Sequence, residues 1–381
     1  MVSYTKPSAE VPDATPRLAF ANQLRALAAL SVMVSHLIGV FWLAQDFLAL
    51  TTLAPAQGGA LPAVVAVADI EWFQAGPFGV GLFFLISGLV VPISLEKHTA
   101  ASFVAARLLR IYPTYMAAMA VQLLALLAAS HVWGRPLPYD WRTILANILL
   151  VHDLTGRSSI DLVNWTLTIE LRFYVVMALL APWVRRGSLA AVFGPAALAC
   201  VVALLISQGV IGTFTLDYTT LTYTVSSELP FLVLMLMGVL FNYHVRGRLG
   251  TRGLVLGVAG MAALMAFAWW FSVLRGQFTH VLNNDAYALA LFAALYALRC
   301  HVRPNRAFDA LASISYPLYL VHATVGFIVM KALMLLAGVS YLAALPVAAL
   351  VAGVIAALLH VSVELPSIRW GRRLAVRPAW R

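Results

Sequence analysis

Long apolar stretches separated by short polar connections recur along almost the whole chain. Ten can be drawn, over residues 19–43, 76–95, 113–131, 164–184, 188–209, 229–244, 253–274, 283–299, 311–335 and 342–363. A helix that crosses a bilayer needs about 20 predominantly apolar residues, and these runs are of that order. The pattern predicts an all-α membrane protein with about ten transmembrane helices in one bundle. An even number of crossings leaves both termini on one side. The apolar piece "ILANILLVHDL" at 144–154 is too short to cross and is expected as a re-entrant or surface helix. The first run is too long for a signal-peptide core and has no convincing cleavage site after it, so it should remain as a span. The chain divides into a polar N-terminal segment (1–18), a transmembrane domain (19–365) and a basic tail (366–381).

Composition agrees with this reading and charge orients it. With 62% hydrophobic and 10% charged residues and a mean hydropathy of +0.90, the chain has too little polar surface to stay in water. A net charge of +10 could suggest nucleic acid, but no basic stretch is interleaved with aromatics. The basic residues sort by side instead. With both termini cytoplasmic, eighteen of the 25 Lys and Arg fall in inner segments. Arg135, Arg142, Arg157, Arg275 and Lys331 fall in outer ones, and Arg25 and Arg172 lie within spans. This is the positive-inside bias, and counting 144–154 as a crossing would destroy it. The two cysteines, Cys200 and Cys300, sit in or at the end of apolar runs, which argues against a disulfide framework and against a metal cluster. The outer connections, including "IGTFTLDYTTLTYTVSSELP" at 211–230, are rich in hydroxyl and acidic residues, which suits sugars and ordinary outer loops alike. There is no internal repeat of the kind many transporters carry.

Ionisable residues at membrane depth are costly and by default mark function. In "NQLRALAALSVMVSHL" at 22–37, Arg25 and His36 are eleven positions apart. On a helix that is about three turns, so the two share a face, about 16 Å apart along the axis. Four further stretches accompany them: "GPFGVGLFFLISGLV" at 76–90, "FVAARLLRIYPTY" at 103–115, "NWTLTIELRFYVV" at 164–176 and "ISYPLYLVH" at 314–322. In this order, from about residue 20 to "VELPSIRW" at 363–370, the chain resembles the acyltransferase-3 family of polytopic membrane acyltransferases. The resemblance implies about ten spans in a bacterial cytoplasmic membrane. It also implies transfer of an acyl group, usually acetyl from acetyl-CoA, to a hydroxyl of a carbohydrate or glycolipid at the far side, with no metal. The chain departs from the family at Glu170, which is followed by Leu171 where the family often has two adjacent acids.

Within that resemblance His36 has the chemistry of a general base, able to take a proton from an attacking hydroxyl and return it to the leaving thiolate. His322, in the family's "SYxLYLxH" pattern, is the rival base or a structural histidine. Glu170 could orient His36 as the acid does in serine-type triads, or neutralise a buried cation. Two positions apart, Glu170 and Arg172 diverge on a helix, so each needs another partner. Arg25 could reach the phosphate or pantetheine of a CoA from the cytoplasm or snorkel to the interface. Arg107 and Arg110, spaced i, i+3, could grip CoA phosphates as a fork or act as orientation anchors. Gly79, Gly81 and Gly88 are read as close helix packing, with passage for a pantetheine arm as the alternative. A rival from another class is a proton-coupled transporter or flippase using Arg25, His36 and Glu170 as a relay. An inactive scaffold is a third.

Overall fold

Each of the ten apolar runs coincides with helix in the computed structural model, which describes residues 19–70, 72–211 and 218–373. The expected N-terminal segment (1–18), residues 374–381 of the tail and residues 212–217 of the polar 211–230 stretch lie outside the described residues. The principal helices are α1 (Ala19–Val34), α2 (Gln45–Thr52), α3 (Ala75–Leu95), α4 (Ala100–Trp133), α5 (Trp141–Ile148), α6 (Asn164–Leu179) and α7 (Ala190–Ser207). They continue with α8 (Tyr218–Val245), α9 (Thr251–Trp270), α10 (Phe278–Ala297), α11 (Arg306–Leu336), α12 (Tyr341–Leu359) and α13 (Leu365–Arg373). The protein is 79% helical. Strand among the described residues is limited to a two-residue antiparallel pair, Asp69–Ile70 with Phe73–Gln74.

Eight helices among the described residues are long and apolar enough to cross a membrane. The other two predicted runs became α6 and α10. α6 is 16 residues long and carries Glu170 and Arg172, while α10 carries Asn283, Asn284 and Asp285. The 144–154 piece forms the eight-residue α5 and then turns back at Leu150, where φ is +55°. Asn147 holds that turn together. Its amide donates to the carbonyls of Thr143 and Ser158, and its side-chain oxygen accepts from the Ile160 N–H and the Asn164 amide. Asp161, on the same connection, accepts the N–H groups of Val163 and Asn164 at the start of α6. Burial nevertheless pushes its carboxyl up to about 6.

The central pillars are α3 and α8, with 72% of their apolar windows buried against 28% for α4. They cross at glycines. A Cβ on Gly88 would strike the Met235 carbonyl and lie 2.8 Å from Gly238 Cα, so the two backbones touch. Gly79 meets α1 in the same way, its added Cβ falling 2.7 Å from the Ala28 carbonyl oxygen. Proline occurs inside α3, α4, α7, α8, α11 and α12, and Pro92, Pro230 and Pro317 are buried against neighbouring helices.

Polar contacts tie the helix ends into two sets. At one end Glu96 pairs with Arg246 at 3.2 Å and Arg248 at 2.8 Å, Arg185 donates to the Leu95 and His98 carbonyls, and Gln23 donates to the Arg303 carbonyl. At the other end buried Lys331 donates to Gln45 and the Pro55 carbonyl, Ser272 to the Ser226 carbonyl, and Thr224 to the Asp153 carbonyl.

Candidate functional site

α1 does not end where its α-helical turns stop. It runs directly into a π-helical turn, Ser35–Val40, whose second residue is His36. Such turns are rare and frequent at functional sites, because the wider turn leaves backbone groups and side chains in positions an α-helix forbids. Here it presents His36 to α11. His36 Nδ1 and His322 Nε2 are 2.8 Å apart. The ring planes lie within 5° of parallel and the centroids are 4.9 Å apart. That separation is close to two ring radii plus the N···N distance, so the imidazoles meet edge to edge in nearly one plane and are not face-stacked.

The network assigns the protons. His322 Nδ1 faces the carbonyl oxygens of Leu318 at 3.0 Å and Tyr319 at 2.9 Å, and two acceptors require it to carry the hydrogen. A neutral His322 then accepts at Nε2, so His36 donates from Nδ1. The remaining nitrogen of His36, Nε2, keeps its lone pair. His36 lines a cavity of about 660 Å³ walled mainly by apolar residues, Val32, Leu43, Trp165, Phe231 and Trp269 among them. Asp153 and Glu228 reach the same cavity and are bound to Arg172, the first at 2.7 Å and the second in a close ion pair. Thr168 donates to Glu228 at 3.2 Å.

A second cavity, of about 300 Å³, has Arg25, Arg110, Glu170, Tyr174, His360 and Glu364 in its lining. Glu170 accepts hydrogen bonds from Ser87 at 3.3 Å and, closely, from Tyr174. His360 and Glu364, joined at 2.6 Å, sit at the two ends of another π-helical turn, His360–Glu364, between α12 and α13. The two cavities share Val80 and Tyr319 as wall residues.

The structure therefore sorts the expected site residues differently from their spacing. Arg25 and His36 face two cavities that meet at one wall. Glu170, expected beside His36, lies with Arg25 and Arg110, and the orienting partner of His36 is His322. Arg107 is buried off the second cavity, its guanidinium 5.4 Å from the Phe103 ring centre and 5.2 Å from that of Tyr174, so only Arg110 of the i, i+3 pair lines the cavity. Arg172 and Glu170 find separate partners, as their divergence on one helix requires. Tyr174 binds Glu170; Tyr319 stands in the "SYxLYLxH" pattern but was given no role there, and Glu228 carried no sequence signal that singled it out. Among the described residues no group of three or more His, Cys, Asp or Glu could hold a metal ion.

Fold and site together define a multi-pass helical membrane protein with a half-buried histidine bonded to a buried one and a separate arginine-bearing cavity. Residues 18–361 match the acyltransferase-3 family, described as an acyltransferase domain, and the chain belongs to that family. It is similar to Nodulation protein 10 of Rhizobium leguminosarum bv. viciae, with 29% identity over 274 residues, 65% of this chain and 71% of the relative. No solved structure matches.

Proposed function

We propose that this membrane acyltransferase moves an acyl group, in the first instance acetyl, from cytoplasmic acyl-CoA to a hydroxyl of a carbohydrate or glycolipid at the extracytoplasmic side of a bacterial cytoplasmic membrane. The observation that carries the reading is the His36–His322 bond, which leaves Nε2 of His36 unprotonated in a residue that lines a cavity large enough for an acceptor. In the proposed reaction the acceptor hydroxyl gives its proton to His36 Nε2 as its oxygen bonds to the thioester carbon. The C–S bond then breaks and His36 returns the proton to the CoA thiolate. While His36 is an imidazolium, its Nδ1–H remains donated to His322, which does by a neutral acceptor what a carboxylate does in serine-type triads.

Arg25 and Arg110 are the proposed phosphate-binding residues for CoA, since guanidiniums suit phosphate oxygens. Glu170 is proposed as their counter-charge and not as a partner of the base. Trp165, with the Asp153 and Glu228 carboxylates, supports a hydroxyl-rich acceptor on the other side of the shared wall. The test is transfer of radiolabel from acetyl-CoA by purified protein in liposomes to envelope glycolipids added at the opposite face. His36→Ala should lose about 10²- to 10⁴-fold in turnover while still binding acetyl-CoA. Movement of unmodified substrate coupled to protons, with no acylated product, would favour a transporter instead.

A further inference from the structure

Any acyl group that travels from the Arg25 cavity to His36 must pass the wall the two cavities share, and that wall has a hydroxyl in it. Tyr319 lines both cavities, is 7% exposed, and holds its ring edge-on to Phe83 at 5.5 Å. Its hydroxyl is 3.0 Å from Thr166 Oγ1 on α6. Thr166 is itself 2.9 Å from the Val163 carbonyl, which can only accept, so the Thr166 proton is committed there. Tyr319 is therefore the donor in the bond across the wall. The same residue is tied to the base, because its carbonyl accepts from His322 Nδ1 and its ring lies 6.0 Å from the His322 ring. One turn of α11 thus carries both the group that orients the base and a phenol proton at the boundary the thioester must cross.

Resting on the acyl-transfer reading, we propose that Tyr319 is a catalytic residue whose hydroxyl leaves Thr166 and donates to the thioester carbonyl oxygen as the acyl group reaches His36. The acceptor oxygen bonds to the carbonyl carbon, its proton goes to His36 Nε2, and the carbonyl π electrons move onto oxygen, where the Tyr319 O–H meets the growing negative charge. When the C–S bond breaks, the electrons return to re-form the carbonyl, the thiolate takes the proton from His36, and Tyr319 keeps its own. Exchanging a neutral threonine oxygen for an oxyanion is a gain realised mainly in the transition state, which is what raises kcat. The apolar lining of Phe83 and Val80 strengthens it.

Tyr319→Phe and Thr166→Val, in liposome-reconstituted full-length protein, separate this from a mere latch. Two readouts serve: the carbonyl stretch of bound, carbonyl-labelled acetyl-CoA by difference infrared spectroscopy, and acetyl transfer to octyl β-glucoside. The wild-type stretch should be lowered by the hydrogen bond, return towards its solution value in Tyr319→Phe, and stay lowered in Thr166→Val. Tyr319→Phe should lower kcat about 10²- to 10³-fold with little change in KM for acetyl-CoA, and Thr166→Val far less. A Tyr319→Phe protein with wild-type stretch and kcat overturns the inference and leaves the acyl-transfer reading standing. Equal losses in the two variants, with the stretch unmoved, reduce the pair to a structural latch. A wild-type protein that binds no acetyl-CoA removes the donor reading and the inference with it.

Discussion

A histidine base works only if its other nitrogen is occupied, and in this protein the occupant is a second histidine with no nearby alternative tautomer. His322→Ala leaves the His36 Nδ1–H without its acceptor, at a cost of about 1–3 kcal/mol, and frees the ring to flip its tautomer. Turnover should fall about 5-fold to 150-fold with acyl-CoA binding intact, by the arithmetic of 1.36 kcal/mol per decade. His322→Gln, whose amide oxygen can accept the same hydrogen, should recover part of the loss, and single-turnover kinetics on the two variants would check it. The arginines separate just as sharply. Arg110→Ala should raise KM for acyl-CoA, whereas Arg107→Ala should lower thermal stability, because Arg107 is packed between Phe103 and Tyr174, a cation–π arrangement of about 0.5–2 kcal/mol. A KM change in Arg107→Ala equal to that in Arg110→Ala would return both to one phosphate fork. Arg25, His36 and Glu170 were legible because ionisable residues stand out in apolar runs, and Arg110 because of its i, i+3 spacing from Arg107. The partnership of His36 and His322 was not, since 286 positions separate them and helical spacing fixes depth along one helix without naming its neighbour. For the same reason Glu170 could be assigned a depth but not a cavity.

Helices were legible to within a few residues because hydrophobic length alone defines a span, but local departures from α geometry leave no periodic trace. The π-turns at Ser35–Val40 and His360–Glu364 fall inside uninterrupted patterns, and the first of them decides where His36 points. Glycine was half legible: the run around Gly79, Gly81 and Gly88 reads as close packing, while its partner Gly238, alone in "LMGVL", does not. The α3–α8 crossing can be tested at the element scale. Gly88→Ala forces a methyl into the Met235 carbonyl and Gly238→Ala one into the Leu85 carbonyl, so both should destabilise the bundle by more than 1–3 kcal/mol, an ordinary overpacking cost, since backbone has to move. Gly194→Ala in α7 meets nothing within 4 Å and should be neutral or stabilising by up to about 1 kcal/mol from helix propensity. Thermal aggregation midpoints in detergent would rank the three, and a Gly88→Ala midpoint equal to that of Gly194→Ala would disprove backbone contact at the crossing.

At the scale of the whole molecule, the contacts between helix ends constrain how the chain crosses the bundle. Arg185 touches the carbonyls of Leu95 and His98, so the stretch from α4 through α6 must leave that end and return to it. α6 therefore completes the return although it is 16 residues long. Ser272 bonds to Ser226 at the other end, while the Arg303 carbonyl accepts from Gln23 at the first, so α10 must also traverse the bundle despite its asparagines and Asp285. We propose ten traverses in which α1 begins and α13 ends at the Glu96 end, and that this end, which carries Arg185, Arg246 and Arg248, is cytoplasmic. The native cysteines provide the test. Cys300, exposed on the connection between α10 and α11, belongs to the Glu96 end, and Cys200 is buried in α7. A membrane-impermeant maleimide should leave intact cells unlabelled and modify one cysteine per chain in inverted vesicles, with Cys300→Ser abolishing the signal. Labelling of Cys300 from outside intact cells would reverse the orientation, and with it the side from which acyl-CoA could reach Arg25.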